Sequence, residues 1–399
     1  MKNANRPIRA SNTVRGKKRR PTSTLSNLRA ICIALVVLCL AASVHAADWP
    51  VARGDAASSG VAQSPLTEPL EITWKYQASA DAAIEATPVI ADGIVYVGDT
   101  EGTFHAVRLA DGEAVWTKKF DDAIFTAAAA VLGDKLFVAD LNGVVRCLST
   151  ADGSEVWQRS VDSEVHAGPT LHADSVLITT EAGTFLRLDA VTGEPKWEAF
   201  QIEAPLRCSA TVIGNWVLLA GCDEVLHAVD VDTGKEAATV KIDGPTGCTP
   251  ALSDGRVYFG TESGAFHCIA ADPEKGSLEV AWTFQDPQRR QGIRTAAAVN
   301  GPLAVFGSQG KAVYAIDTSS GEQKWKLPQN TRVESSPVIA GERVIVATMQ
   351  GRIYLLDVAS GDTKWEYDAG GSFQSSPAVV DGRVVIGNEN GTLYCFAKP

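Results

Sequence analysis

Apolar residues along this chain come in short runs rich in β-branched and aromatic side chains, and Asp-Gly-like turns break them at regular intervals. One cycle reads Val89-Ile90-Ala91, the turn Asp92-Gly93, Ile94-Val95-Tyr96-Val97, a second turn at Gly102, then Phe104-His105-Ala106-Val107 and a third turn through Asp111-Gly112 to Trp116. Such dipeptides between alternating apolar residues are hairpin signals, and no helical period intervenes. Equivalent turns recur at Gly133-Asp134, Gly214-Asn215, Asp254-Gly255, Gly341-Glu342 and Asp381-Gly382. The clearest marker of the cycle is a tryptophan: Trp74, Trp116, Trp157, Trp197, Trp282, Trp325 and Trp365, at steps of 42, 41, 40, 85, 43 and 40 residues. A fixed period near 40 implies a repeat architecture, and four antiparallel strands per period describe a propeller blade.

Eight inner hairpins are expected, starting near Glu85, Thr126, His166, Arg207, Gly247, Arg294, Glu334 and Gln374. The last repeat stops at Pro399 after three strands. A strand over residues 71–76, carrying Trp74, is expected to complete it and so remove an open sheet edge. The fold class expected is therefore all-β: a closed eight-bladed β-propeller over residues 71–399, preceded by a lead-in at 47–70. A single closed ring of this kind is expected to be monomeric.

Residues 1–46 differ in kind. They hold nine Lys and Arg and no acid, then an apolar run over 31–42, then Ser43-Val44-His45-Ala46. This is the pattern of a secretory signal peptide cleaved after Ala46, with an uncleaved anchor as the alternative; the run is short for a membrane span. Export to the periplasm or cell surface is the expectation, with membrane contact peripheral at most. The whole chain carries −11, and the part beyond residue 46 carries −20, which disfavours nucleic acid and anionic membrane surfaces as partners. Six cysteines remain there, too few for a disulfide scaffold.

The segments ending Leu188-Asp189-Ala-Val-Thr-Gly-Glu-Pro-Lys-Trp197 and Ile316-Asp317-Thr-Ser-Ser-Gly-Glu-Gln-Lys-Trp325 resemble the tryptophan-docking repeat of the pyrroloquinoline-quinone-type propellers. Trp49-Pro50 with Arg53-Gly54 is similar to the lead-in of secreted members. The resemblance implies one of two functions. One is a non-catalytic scaffold for an envelope protein partner, similar to propellers that assist outer-membrane β-barrel assembly. The other is a quinone-dependent dehydrogenase with quinone and calcium in the channel mouth. The compact repeats favour the scaffold. No Cys-Cys pair occurs, and no set of calcium ligands can be aligned, so neither cofactor nor metal is expected. The pattern breaks in blade four, where Asp232-Thr233-Gly234-Lys235-Glu236-Ala237 has no tryptophan, and in blade five, with the insertion Asp272-Pro-Glu-Lys-Gly276. Trp216 either fills the first gap or is plain core.

Aligning the blades brings one residue from each to the start of the innermost strand. Glu85, His166, Arg207, Arg294, Glu334 and Gln374, with Thr126 and Gly247, thus form the candidate channel-mouth ligand site. A carboxylate or small anion between Arg207 and Arg294 is the ligand expected, because arginine forks pair with carboxylates. A hydrated polar mouth is the alternative. Cys208, Cys222 and Cys248 cluster nearby, compatible with a disulfide, most simply Cys208–Cys222, or with free thiols. Cys147, Cys268 and Cys395 read as small filler, and His105, His227 and His267 as packing. Asp99, Glu101, Asp140, Glu181, Asp223, Glu224, Glu262 and Glu389 form either an acidic docking face or a set of turn supports.

Overall fold

The computed structural model describes residues 48–79 and 81–399; the expected signal peptide and its expected cleavage site lie outside the described residues. Among the described residues every regular element is a strand, and the strands form eight sheets. Blade one runs Val89–Ala91, Ile94–Gly98, Thr103–Arg108 and Ala114–Lys119, each strand antiparallel to the next. The pattern repeats around a ring whose innermost strands touch their neighbours, with blade eight returning to blade one. This is the eight-bladed propeller expected from the period.

The tryptophans join the blades, and the join explains the glycine in each repeat. Trp325 of blade six donates from Nε1 to the carbonyl of Val358 at 2.9 Å. A Cβ added to Gly361 in the same turn of blade seven would lie 2.7 Å from the indole. The turn therefore needs glycine twice, for a φ of 76° and for room under the ring. Trp74, Trp116, Trp157, Trp197 and Trp282 do the same over Gly112, Gly153, Gly193, Gly234 and Gly321.

The two sequence breaks fall on one seam. Blade four has Ala238 where a tryptophan is expected, paired with Ala228. Blade five, across that seam, has no docking glycine but a longer hairpin, Ala265–Asp272 and Ser277–Gln285. Trp216, Ala238, Ala271 and Leu278 share one cluster there, so packing from both blades, the Trp216 ring included, stands in for the missing docked indole. Blade three departs differently. Its outer strand shrinks to Phe200–Gln201, and Trp197 lies off it. Pro195, which has no N–H to give the ladder, makes only an isolated bridge to Leu188. Trp197 still reaches Val231 at 2.9 Å, so docking survives without the strand.

Glu71–Gln77 lies antiparallel to Thr392–Ala397 and supplies the outer strand of blade eight, with Trp74 opposite Cys395. The lead-in before it has a part that periodicity did not reveal. Its carbonyls accept from the middle residue of six inner strands: Ile90 to Trp49, Val131 to Pro50, Val212 to Ala56, Leu252 to Ala57, Val299 to Ser59 and Ile339 to Gly60. Those N–H groups stand on the channel-side edge, where a bare edge would leave donors unpaired. In blade seven the contact becomes a short parallel strand, Val61–Ala62 against Val338–Ala340, so that sheet has five strands rather than four. The Glu68 carboxylate holds Arg343 of the same blade at 3.0 and 3.1 Å.

Candidate functional site

Alternation of side chains along a strand puts residues i and i+2 on one face. Each innermost segment therefore offers the axial channel two residues, not one. All eight residues of the expected mouth line a single cavity of about 200 Å³. So do those two positions further on: Thr87, Ala128, Gly168, Ser209, Thr249, Ala296, Ser336 and Ser376. Four hydroxyls of this second ring tie blade to blade. The Ser209, Ala296, Ser336 and Ser376 amides donate to Thr249, Ser336, Ser376 and Thr87 at 2.9–3.1 Å. Shifting the blade alignment by two would have exposed this belt.

Most mouth side chains meet partners from the neighbouring blade. Arg207 forks onto Glu181, with Nε 2.7 Å from Oε2 and Nη2 on Oε1. This pairing holds the Glu181 carboxyl below its ordinary range. Arg294 Nε donates to Glu262 Oε1 at 2.7 Å. Gln374 donates to Glu85 at 3.0 Å and Gln309 to Glu334 at 3.3 Å; His166 Nε2 is 2.9 Å from Glu164. Burial raises the Glu334 carboxyl above its usual value, with Arg294 and Arg332 opposing the shift. A cleft of about 450 Å³ does open over Gly247, between the two arginines. The Arg207 fork that a ligand would use there is already turned onto Glu181, and Arg294 gives its Nε to Glu262.

The floor is different. Ala52 and Arg53 of the lead-in close the cavity beneath the second ring. Arg53 is 4% exposed, and its Nη2 donates to the Ala297 and Pro337 carbonyls at 3.1 and 2.7 Å. Burial lowers its pKa to about 10. The glycines beside it are required by contact: a Cβ on Gly60 would lie 2.0 Å from Arg53 Nη2, and one on Gly54 2.9 Å from the Trp49 ring. This is the physical content of the Trp-Pro and Arg-Gly pairs in the lead-in. Arg53 lies outside the repeats, so blade alignment alone gives it no place in the site.

The disulfide alternative is corrected: Cys208, Cys222 and Cys248 are all free thiols. The register Thr211↔Leu218, carried outward along the hairpin, sets Cys208 level with Gly221, and a one-residue offset turns Cys222 the other way. Cys208 Sγ meets the Ala220 carbonyl at 3.4 Å, Cys222 that of Thr246 at 3.6 Å and Cys248 that of Thr295 at 3.1 Å. Burial pushes the Cys208 and Cys248 thiols up to about 12. Cys147, Cys268 and Cys395 lie buried opposite Trp157, Trp282 and Trp74.

The three strand histidines do more than pack. Nε2 of His105, His227 and His267 lies 2.8–2.9 Å from Asp99, Asp223 and Asp243, and their Nδ1 atoms face Tyr76, Glu236 and Thr283. Of the acidic loop residues, Asp99 and Asp140 are buried and accept the amides of their own turns. Glu181 and Glu262 hold mouth arginines, and Glu389 accepts from Ser372. These five support turns and loops. Among the described residues no group of three or more His, Cys, Asp or Glu is placed to hold a metal ion.

Comparison with known proteins places the fold in a family. The chain is 24% identical over 319 residues to the outer membrane protein assembly factor BamB of Burkholderia pseudomallei, covering 72% of this chain and 78% of that one. It is 31% identical over 280 residues, 67% of its length, to the serine/threonine-protein kinase AfsK of Streptomyces griseus. The chain spans a third or less of the length of that kinase, and 11% of a quinohemoprotein alcohol dehydrogenase that it also matches. The solved quinohemoprotein alcohol dehydrogenase of Comamonas testosteroni superposes with a TM-score of 0.72, at 17% identity over 88% of this chain and 81% of that one, a likeness of fold alone. A family model described as outer membrane protein assembly factor BamB matches residues 105–213 and 200–398. Those two matches take in most of the propeller, and the chain belongs to this BamB-like family of pyrroloquinoline-quinone-type propellers.

Proposed function

We propose that this chain is a non-catalytic propeller of the cell envelope that docks a protein partner on a face of its ring. The observation that carries the reading is the state of the channel mouth. Its two arginines are engaged by Glu181 and Glu262, and its two carboxylates by Gln374 and Gln309. A calcium-held quinone would need several oxygen donors converging on one point, whereas Glu85 and Glu334 stand on separate blades, each with an amide partner. The residues present do not fit that pair of cofactors. The family match and the resemblance to an assembly factor support protein docking, and the acid-rich sequence expected to remain after export suits a soluble binding partner. The partner expected is a component of the machinery that assembles outer-membrane β-barrels.

Affinity capture from envelope extracts of the native host, with the exported chain as bait, tests the reading: recovery of such a component is the expected result. Oxidation of alcohols or sugars by purified protein supplied with quinone, calcium and an artificial electron acceptor would overturn it in favour of a dehydrogenase.

A further inference from the structure

A buried guanidinium normally has a carboxylate beside it, because an unpaired charge out of water is costly. Arg53 has none. Among the described residues it forms no ion pair, and its Nε and Nη1 atoms have no hydrogen-bond acceptor. The two groups whose charge would act on it, Asp55 and Cys248, do not supply one. Asp55 is exposed and spends its oxygens on Ser59. The Cys248 thiol stays protonated, with a pKa near 12, and points at the Thr295 carbonyl. The lead-in nevertheless keeps Arg53 on the channel floor, through two carbonyls and a glycine cut to its shape.

Above it stand hydroxyls whose hydrogens are uncommitted. Thr87, Thr249, Ser336 and Ser376 each accept a backbone amide, and a hydroxyl that accepts still has its own hydrogen to give. The floor thus presents donors and one net positive charge, in a cavity of about 200 Å³ that is ample for one ion. The rim sets the valence. Glu85 and Glu334 line the same cavity and repel a multiply charged species, while Arg207 and Arg294 are matched by Glu181 and Glu262. His166, the remaining titratable group on the rim, faces Glu164.

We infer that the channel floor is a binding site for a small monovalent anion, halide or simple carboxylate, held over Arg53 by the hydroxyl belt. The ion completes the charge balance of the lead-in and so locks it to the ring. This goes beyond the scaffold reading and does not depend on it.

Two measurements on the full exported chain test the site. In crystals of the wild-type protein soaked in bromide, an anomalous peak is expected in the channel between Arg53 and the hydroxyl belt. Thermal unfolding at constant ionic strength should show a midpoint that rises as chloride or formate replaces gluconate. That rise should persist in Arg207→Ala and Arg294→Ala and vanish in Arg53→Met. A channel holding only water in the bromide-soaked wild-type crystals would overturn the proposal, whatever the Arg53 variant does. Loss of the chloride response on removing a mouth arginine would move the site to the rim and overturn it equally. Tighter response to sulfate than to chloride would refute the monovalent assignment.

Discussion

The mouth and the floor of the channel are lined by neighbouring residues of the same inner segments, yet they handle charge in opposite ways. At the mouth, Arg207 and Arg294 are half exposed, at 51% and 54% of their side-chain surface, and each is neutralised by a loop carboxylate. Water screens such pairs, and they contribute little. On the floor a single arginine is shut away, held by carbonyls and brought there by a segment distant in sequence. The lesson is that the showiest cluster of charges need not be the site. A self-neutralised rim offers a ligand little, whereas one buried unmatched charge exerts a strong pull.

The comparison breaks most severely at Gly60. Valine there would combine a φ of 64° with a clash against Arg53 Nη2. The expected loss is about 3 kcal/mol or more of unfolding free energy by chemical denaturation. A loss under about 1 kcal/mol would mean that Arg53 is not clamped as described. Arg53→Met sharpens it next. Removing a buried, unmatched charge in favour of a similar apolar shape should leave stability in halide-free buffer within about 1–2 kcal/mol of wild type, or raise it, despite the loss of two hydrogen bonds to carbonyls.

Arg207→Ala should change unfolding free energy by less than about 1 kcal/mol, its main effect being release of Glu181. A change several times larger would place the mouth among the structural determinants after all. The smallest expected effect is one of pH. Arg343 holds the Glu68 carboxyl at about 2, against an ordinary 4.5. A depressed acid lends stability that is complete above its unfolded value and is lost as the pH falls towards the folded one. Stability should therefore decline between about pH 4.5 and 2, and Glu68→Gln should flatten part of that slope at a neutral-pH cost of at most about 1 kcal/mol. An unaltered slope in the variant would mean that Glu68 and Arg343 do not latch the lead-in to blade seven.

What the chain reveals of itself depends on whether the cause is local or repeated. Blade number, hairpin turns and the docking tryptophans were legible because each repeat restates them: the glycine that takes the neighbour's indole and the tryptophan that covers it recur at a constant step. The eight mouth residues were legible for the same reason, since blade alignment is a symmetry operation on sequence. Pro195 announces the broken strand of blade three through its missing N–H, although only the fold shows that Trp197 still docks. Elsewhere the outcome turned on one residue of register or on contacts between distant segments. Cys208 and Cys222 flank their turn almost symmetrically, and a single position along a pleated strand sends their sulfurs to different neighbours. The lead-in has no period to read, and its carbonyls meet amides as far away as Ile339. Arg53 takes its meaning from Ala297 and Pro337, more than two hundred residues on. Repetition encodes a propeller in the order of its residues. Burial and charge balance at its axis exist only once the ring has closed.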